Sequence, residues 1–384
     1  MASSPGGASV ALLLEAIAPV LVEDGGEFSF AGAITRREAQ SVWTWLRRDL
    51  APDLLGPQLS GEALETVVPE LLSRARAAAA VKHGSDAERR LRVQLGGAEM
   101  LDRLPAVLDG IKCFPLLSKA EAFGRAISGM EDDEALGTAL QSMPRHDASV
   151  SSLLMMAAMG QVAQPSRLVI AAIRSTADAS EWGMARAGFG PLVDAILARA
   201  QDAIPPMLQV GAFADMDLIC HAVERFHRLI KAINTHIELF RGGRWSTVMA
   251  GLTRTVSARL EPRLRELPQD INRALRVRDG TDRLDADSLL AALNGFYLLT
   301  TVRDCRDSLA LNEVFDEIWN RSGPTLEQHL THTMEARRIS PGDRIVAERL
   351  DMGIKMAELR FGAEYAEILR NASSGVERRL STSD

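Results

Sequence analysis

The sequence predicts an all-α protein, an irregular multi-helix bundle or a stack of helical hairpins with little or no sheet. Three observations carry that expectation. Helix-start signals recur along the chain, apolar residues repeat at helical spacing, and sustained apolar–polar alternation is missing. The chain has 384 residues, of which 46% are hydrophobic and 25% charged. A chain of that mass can bury roughly 75% of its unfolded surface, enough for a full core without metals or disulfides.

Taken in order, the apolar run from Val10 to Val22 reads as a helix near 9–22. Thr35-Arg36-Arg37-Glu38 is a capping box ahead of Val42, Trp45, Leu46 and Leu50, giving a helix over 36–50. Trp43 lies two residues from Trp45 and so off that core side, under a neighbouring segment or in an interface. Ser85-Asp86-Ala87-Glu88 and Ser118-Lys119-Ala120-Glu121 repeat the capping device and open helices over 86–108 and 119–128. Pro165, Pro191 and Pro341 stand where a first helical turn tolerates proline. Further helices are expected near 61–80, 132–142, 148–160, 166–178, 191–203, 212–241, 245–265, 267–277, 285–298, 301–320, 325–338 and 342–370. Breaks over 128–149 and 203–211, the second containing Pro205-Pro206, suggest an N-terminal helical region over 9–205 and a C-terminal one over 211–371. The ends, 1–8 and 372–384, are small, polar and expected to be loose. No fixed-period repeat supports a regular solenoid.

The net charge of -7 suits solubility and argues against a general nucleic-acid binder. The three cysteines, Cys113, Cys220 and Cys305, form no zinc spacing, and an odd, low count suggests a reducing compartment. The first residues carry no basic n-region, and no apolar stretch is long enough for a membrane span, so a cytoplasmic protein is expected. The excess of arginine over lysine fits a GC-rich bacterial genome.

Charge is unevenly placed. Residues 211–278 carry 12 basic and 7 acidic side chains, for +5, between flanks of -6 each. The helix over 215–241 is the clearest element there. Ile219, Ala222, Val223, Phe226, Ile230, Ile233, Ile237 and Phe240 share one side, opposite His221, Glu224, Arg225, Arg228, Lys231 and Thr235. That polar face, extended by Arg241 and Arg244, is a candidate partner-binding surface: Arg225, Arg228, Lys231, Arg241 and Arg244 would dock an acidic surface of another protein or of a second copy. The bland alternative is that the acidic flanks fold back and cover the island.

Other constellations fall short of a site. Glu224 and His227 have the Glu-x-x-His spacing of di-iron bundles, but a second motif is absent and both lie away from the apolar seam. His329, His332 and Glu335 stand one turn apart, with His332 opposite the buried side marked by Leu326, Leu330 and Met334. Asp279 to Asp287 resembles a calcium loop superficially but lacks its ligand register, and reads better as a loop ending in an Asp N-cap. Asp304, Ser308 and Asn312 match part of a prenyl-enzyme magnesium set without the acid it needs. No phosphate loop and no nucleophile elbow occur. No catalytic, cofactor or metal residues are therefore expected. The sequence favours a helical protein–protein interaction module, an adaptor, scaffold or regulatory subunit. The alternative is an all-α enzyme or small-ligand-binding protein with an unmotifed site among the central helices.

Overall fold

The structure is a computed structural model that describes residues 5–56, 60–176, 178–276 and 284–381. It is 77% helical, with 16 α-helices and two short strands among the described residues, and the all-α expectation holds. The chain forms two compact units: Met1–Asp202 with Arg228–Ala250, and Ala203–His227 with Gly251–Asp384.

The first unit opens with α1 (Pro5–Ala16) and a two-residue parallel pairing of β1 (Leu21–Val22) with β2 (Ile34–Thr35). Thr35 then caps α2 (Arg36–Trp45): its hydroxyl accepts from Glu38 N while the Glu38 side chain accepts from Thr35 N. The chain continues through α3 (Gly61–Ala79), α4 (Asp86–Leu95), α5 (Ala98–Ser128), α6 (Asp133–Gln141), α7 (Ala148–Met159), α8 (Pro165–Thr176), α9 (Glu181–Arg186) and α10 (Gly190–Asp202). From Leu153 onward helix α7 is apolar all round, and Leu153 to Met159 are all buried. It packs against α5 and α10. Glycine permits the approach to α5, because a Cβ on Gly124 would lie 2.3 Å from the Ala158 carbonyl oxygen. Trp43 is fully buried beside Trp45 in this core.

The second unit contains α13 (Ala286–Cys305), α14 (Asn312–Ile339), α15 (Arg344–Phe361) and α16 (Ala363–Ser381), with α15 packed on α13, α14 and α16. Helices α11 (Met216–Asn234) and α12 (Arg244–Leu275) contribute residues to both units. Within the second unit, Arg263 is 1% exposed and donates to Asp270 Oδ2 (2.5 Å), Glu266 (3.0 Å) and the Ala291 carbonyl (2.5 Å).

Several boundaries differ from expectation. The 9–22 helix begins at Pro5 and ends at Ala16, after which Leu21 and Val22 are extended. The 86–108 helix is cut by Gly96 and Gly97, at φ +92° and +147°. Beyond them α5 runs unbroken through Pro105, Pro115 and the Ser118 box, which therefore caps nothing. Likewise α12 runs unbroken through residue 266, where a break was expected, and spans Pro262 and Pro268. A proline removes one helical hydrogen bond, but tertiary packing of the apolar face supplies most of a helix's stability. The 301–320 segment is divided instead at Arg306–Ser308, between α13 and α14. Helix α16 continues to Ser381.

Candidate docking surface

Helix α11 has the strongest segregation of apolar and polar residues in the sequence, and its burial follows that pattern. Ile219, Ala222, Val223, Phe226, Ile230 and Ile233 are buried, while His221, Glu224, Arg225, Arg228 and Lys231 are exposed. The helix stops at Asn234, short of the expected 241. There Glu238 N donates to the Ala179 carbonyl and Glu181 N to the Glu238 carbonyl, a pairing with the 178–181 segment that outcompetes further helix. Gly242, at φ +80°, then turns the chain into α12.

The five candidate cations part company in their surroundings. Arg244 Nη1 donates to both Asp194 oxygens, at 2.7 and 2.8 Å, and Trp245 Nε1 donates to the same carboxylate at 2.9 Å. Arg225, Arg228, Lys231 and Arg241 are exposed and have no ion pair or side-chain hydrogen bond among the described residues. Arg225 belongs to the second unit and the other three to the first. Glu224 and Arg228, though one turn apart, do not pair. Acidic side chains from outside the basic segment reach Arg244, through Asp194, and Arg265, through Glu317 at 2.9 Å.

In the first unit the 178–181 pairing also joins two backbone segments that no sequence motif marked. Ser180 and Glu238 form a parallel bridge, and two residues beyond each stand Trp182 and Phe240. These aromatics are 60% and 54% exposed. Arg186 lies over the Trp182 ring at 4.6 Å, a cation–π arrangement. The nearby carboxylates are mostly turned inward. Glu181 Oε1 accepts from Trp245 N (3.3 Å) at the start of α12, a favourable place for negative charge. Asp194 serves Arg244 and Trp245. Asp178 accepts from Ser180 N (2.9 Å), and hydrogen bonds from that N–H and the Ser180 hydroxyl, with Arg186 nearby, hold its carboxyl below the usual range.

A second missed feature of this unit is a cavity of about 440 Å³ beneath the loop 22–30. Glu38 and Arg103 form its polar floor, with Arg103 Nε 2.7 Å from Glu38 Oε1 and Nη2 bonded to the Phe30 and Ala33 carbonyls. The Gln201 amide clamps the loop by exchanging two 2.8 Å bonds with the Phe28 backbone. Phe28, Phe30 and Met100 add apolar wall, and Glu23, Glu99 and Asp102 add carboxylates.

The histidine candidates engage the protein. His221 Nδ1 lies 2.8 Å from the Asp217 carbonyl. His329 Nε2 lies 2.8 Å from Asn272 Oδ1, whose amide nitrogen donates to the Pro268 carbonyl. That second bond fixes the amide, so Nε2 is the protonated nitrogen of the neutral ring. Burial, reinforced by His332, pushes the His329 pKa down. Among the described residues, no three His, Cys, Asp or Glu side chains converge as metal ligands, and no helix is long and apolar enough to cross a membrane. Asp285 caps α13 by accepting from Asp287 N and Ser288 N, while residues 279–283 of the superficial calcium loop lie outside the described residues. Among the described residues Cys113, Cys220 and Cys305 are not joined in disulfides, and Cys113 and Cys305 are buried. No family model matches the chain, and neither a curated protein nor a solved structure matches it.

Proposed function

We propose that the chain is a helical protein–protein interaction module, an adaptor, scaffold or regulatory subunit, that docks an acidic surface through the exposed cations of α11 and the turn after it. The observation that carries this reading is that Arg225, Arg228, Lys231 and Arg241 are exposed without a carboxylate, although the chain as a whole is acidic. Arginine suits the task, because its planar fork holds carboxylates by parallel bonds and is weakly hydrated. Arg244 drops to a supporting role, since Asp194 already engages it. Work in the cytoplasm accords with three cysteines that are not joined in disulfides.

The test reverses Arg225, Arg228 and Lys231 to glutamate and measures partner capture from the native cell together with the melting temperature. Capture lost at unchanged melting temperature is the expected result. A markedly lower melting temperature with capture intact would end the reading. A second reading, a small-ligand-binding protein, draws on the 440 Å³ cavity under loop 22–30. A metabolite that raises the melting temperature of the native chain but not of Arg103→Met would favour it.

A further inference from the structure

We infer that the cavity of about 440 Å³ beneath loop 22–30 in the first unit binds a small organic polycation, a molecule carrying two or more ammonium groups on a hydrocarbon chain. The inference rests on the small-ligand reading above and names the ligand's chemistry. The volume falls within the range of about 300–1,000 Å³ usual for small-molecule sites. Specific bonds hold both sides of the cavity in place. Above it, Glu23 N donates to Asp202 Oδ1 (3.1 Å), Asp24 Oδ1 accepts from Arg37 N (3.0 Å), and the Gln201 amide exchanges its two bonds with the Phe28 backbone. Gly26 permits this closeness, because a Cβ there would clash with the Gln201 amide. Below it, Arg103 ties Glu38 to the Phe30 and Ala33 carbonyls.

Charge selects the occupant. In the floor, Glu38 and Arg103 neutralise each other. The other charged lining residues are Glu23, Asp24, Glu27, Glu99 and Asp102 against Arg37, an excess of four negative charges around one cavity. Just outside, Asp202 is held by Arg199 (3.4 Å), and Glu15 is matched by Arg36, so the surroundings do not cancel that excess. The side chains of Glu23, Glu99 and Asp102 are exposed and make no ion pair or hydrogen bond among the described residues. A concave site with one sign of charge concentrates the opposite ion. Each exposed carboxylate binds a cation weakly by itself, so recognition here needs a ligand that meets several at once. A metal ion fits poorly, since no three of these carboxylates converge as ligands. Phe28, Phe30 and Met100 add apolar wall. Methylenes would lie against that wall while the ammonium groups they join meet the carboxylates.

The test titrates putrescine and spermidine into the native full chain by isothermal titration calorimetry at low salt. Saturable binding is expected, tighter for spermidine, the more highly charged of the two, and weaker as salt is added. Glu99→Gln combined with Asp102→Asn should weaken spermidine at least about tenfold, a loss of about 1.4 kcal/mol. Phe28→Ala keeps the backbone bonds to Gln201 and should weaken it at least about threefold, close to the loss of one buried methylene. Glu62→Gln combined with Glu65→Gln has the same spacing on the exposed face of α3 and should leave binding unchanged. Equal weakening by that control would overturn the inference, because the attraction would then be to the acidic surface at large. Undiminished binding by Phe28→Ala would overturn it too, by confining the polyamine to the rim. If polyamines fail and an anionic or neutral metabolite stabilises the native chain but not Arg103→Met, the small-ligand reading stands and this inference falls. If no compound of any charge does so, both fall.

Discussion

Two buried regions, helix α7 in the first unit and the surroundings of Arg263 in the second, are stabilised in different ways. In the first, α7 carries no charge and fills its surroundings with leucine, methionine and alanine, one close approach being the glycine contact of Gly124 on Ala158. In the second, the core takes in arginine. Arg263 is almost fully buried against Asp270 and the Ala291 carbonyl, and Arg360 stacks 3.6 Å over Trp319 while donating to the Trp319 carbonyl. An apolar core fails by gaining or losing volume. An arginine-bearing core fails when a partner is withdrawn and a charge is left dry. Burial alone does not reveal which of these sensitivities a helix will have.

The largest expected effect tests the second kind of core. Asp270→Ala leaves the buried Arg263 with only the exposed Glu266 carboxylate and should destabilise the protein by about 3 kcal/mol in chemical denaturation. Replacing Arg263 and Asp270 together by apolar residues of similar volume should recover most of that loss. If the double replacement is as damaging as the single one, the pair is not what holds this core. Next comes Gly124→Ala. Alanine gains about 0.5–1 kcal/mol of helix propensity over glycine. Forcing α5 off α7 should outweigh that gain and leave a net loss of about 1–3 kcal/mol. A stabilised Gly124→Ala protein would show that the α5–α7 approach yields easily and would weaken the contrast.

The smallest effect is a pH dependence confined to the second unit. His329 has a folded pKa below its ordinary value, so the unfolded chain binds the proton more readily. Its contribution to stability is therefore complete above the usual imidazole pKa of about 6.5 and declines as pH falls below it, until the lowered folded value is passed. Thermal denaturation followed from pH 8 to pH 5 should show a shallower acid decline for His329→Gln than for the native chain. Parallel curves would remove His329 from the account.

Much of the fold was legible because helix signals are local. Thr35 and Glu38 form the capping box their spacing demands, and the Ser85 hydroxyl accepts from Glu88 N. Where the reading failed, a local stop signal was outvoted. Pro262 and Pro268 cost α12 little, and Ser118 could not start a helix inside one already running. The candidate surface was half legible. The exposed side of α11 followed from periodicity, but nothing in the sequence distinguished Arg244, held by Asp194 fifty residues away, from Arg241, which has no such partner.

What the sequence determined by itself was the class of the protein. Its 3.6-residue periodicity and its caps fix helices residue by residue, and the one-sided apolar stripe of α11 fixes which of that helix's residues face inward. What only the tertiary structure decided was which charges remain unspent and which distant backbone segments pair. Ser180 and Glu238 are 58 positions apart in the chain. Their backbone bridge exists only because α11 ends at Asn234 rather than running on. Pairings over such distances carry no periodic trace, because their energy is realised only once the intervening helices have packed.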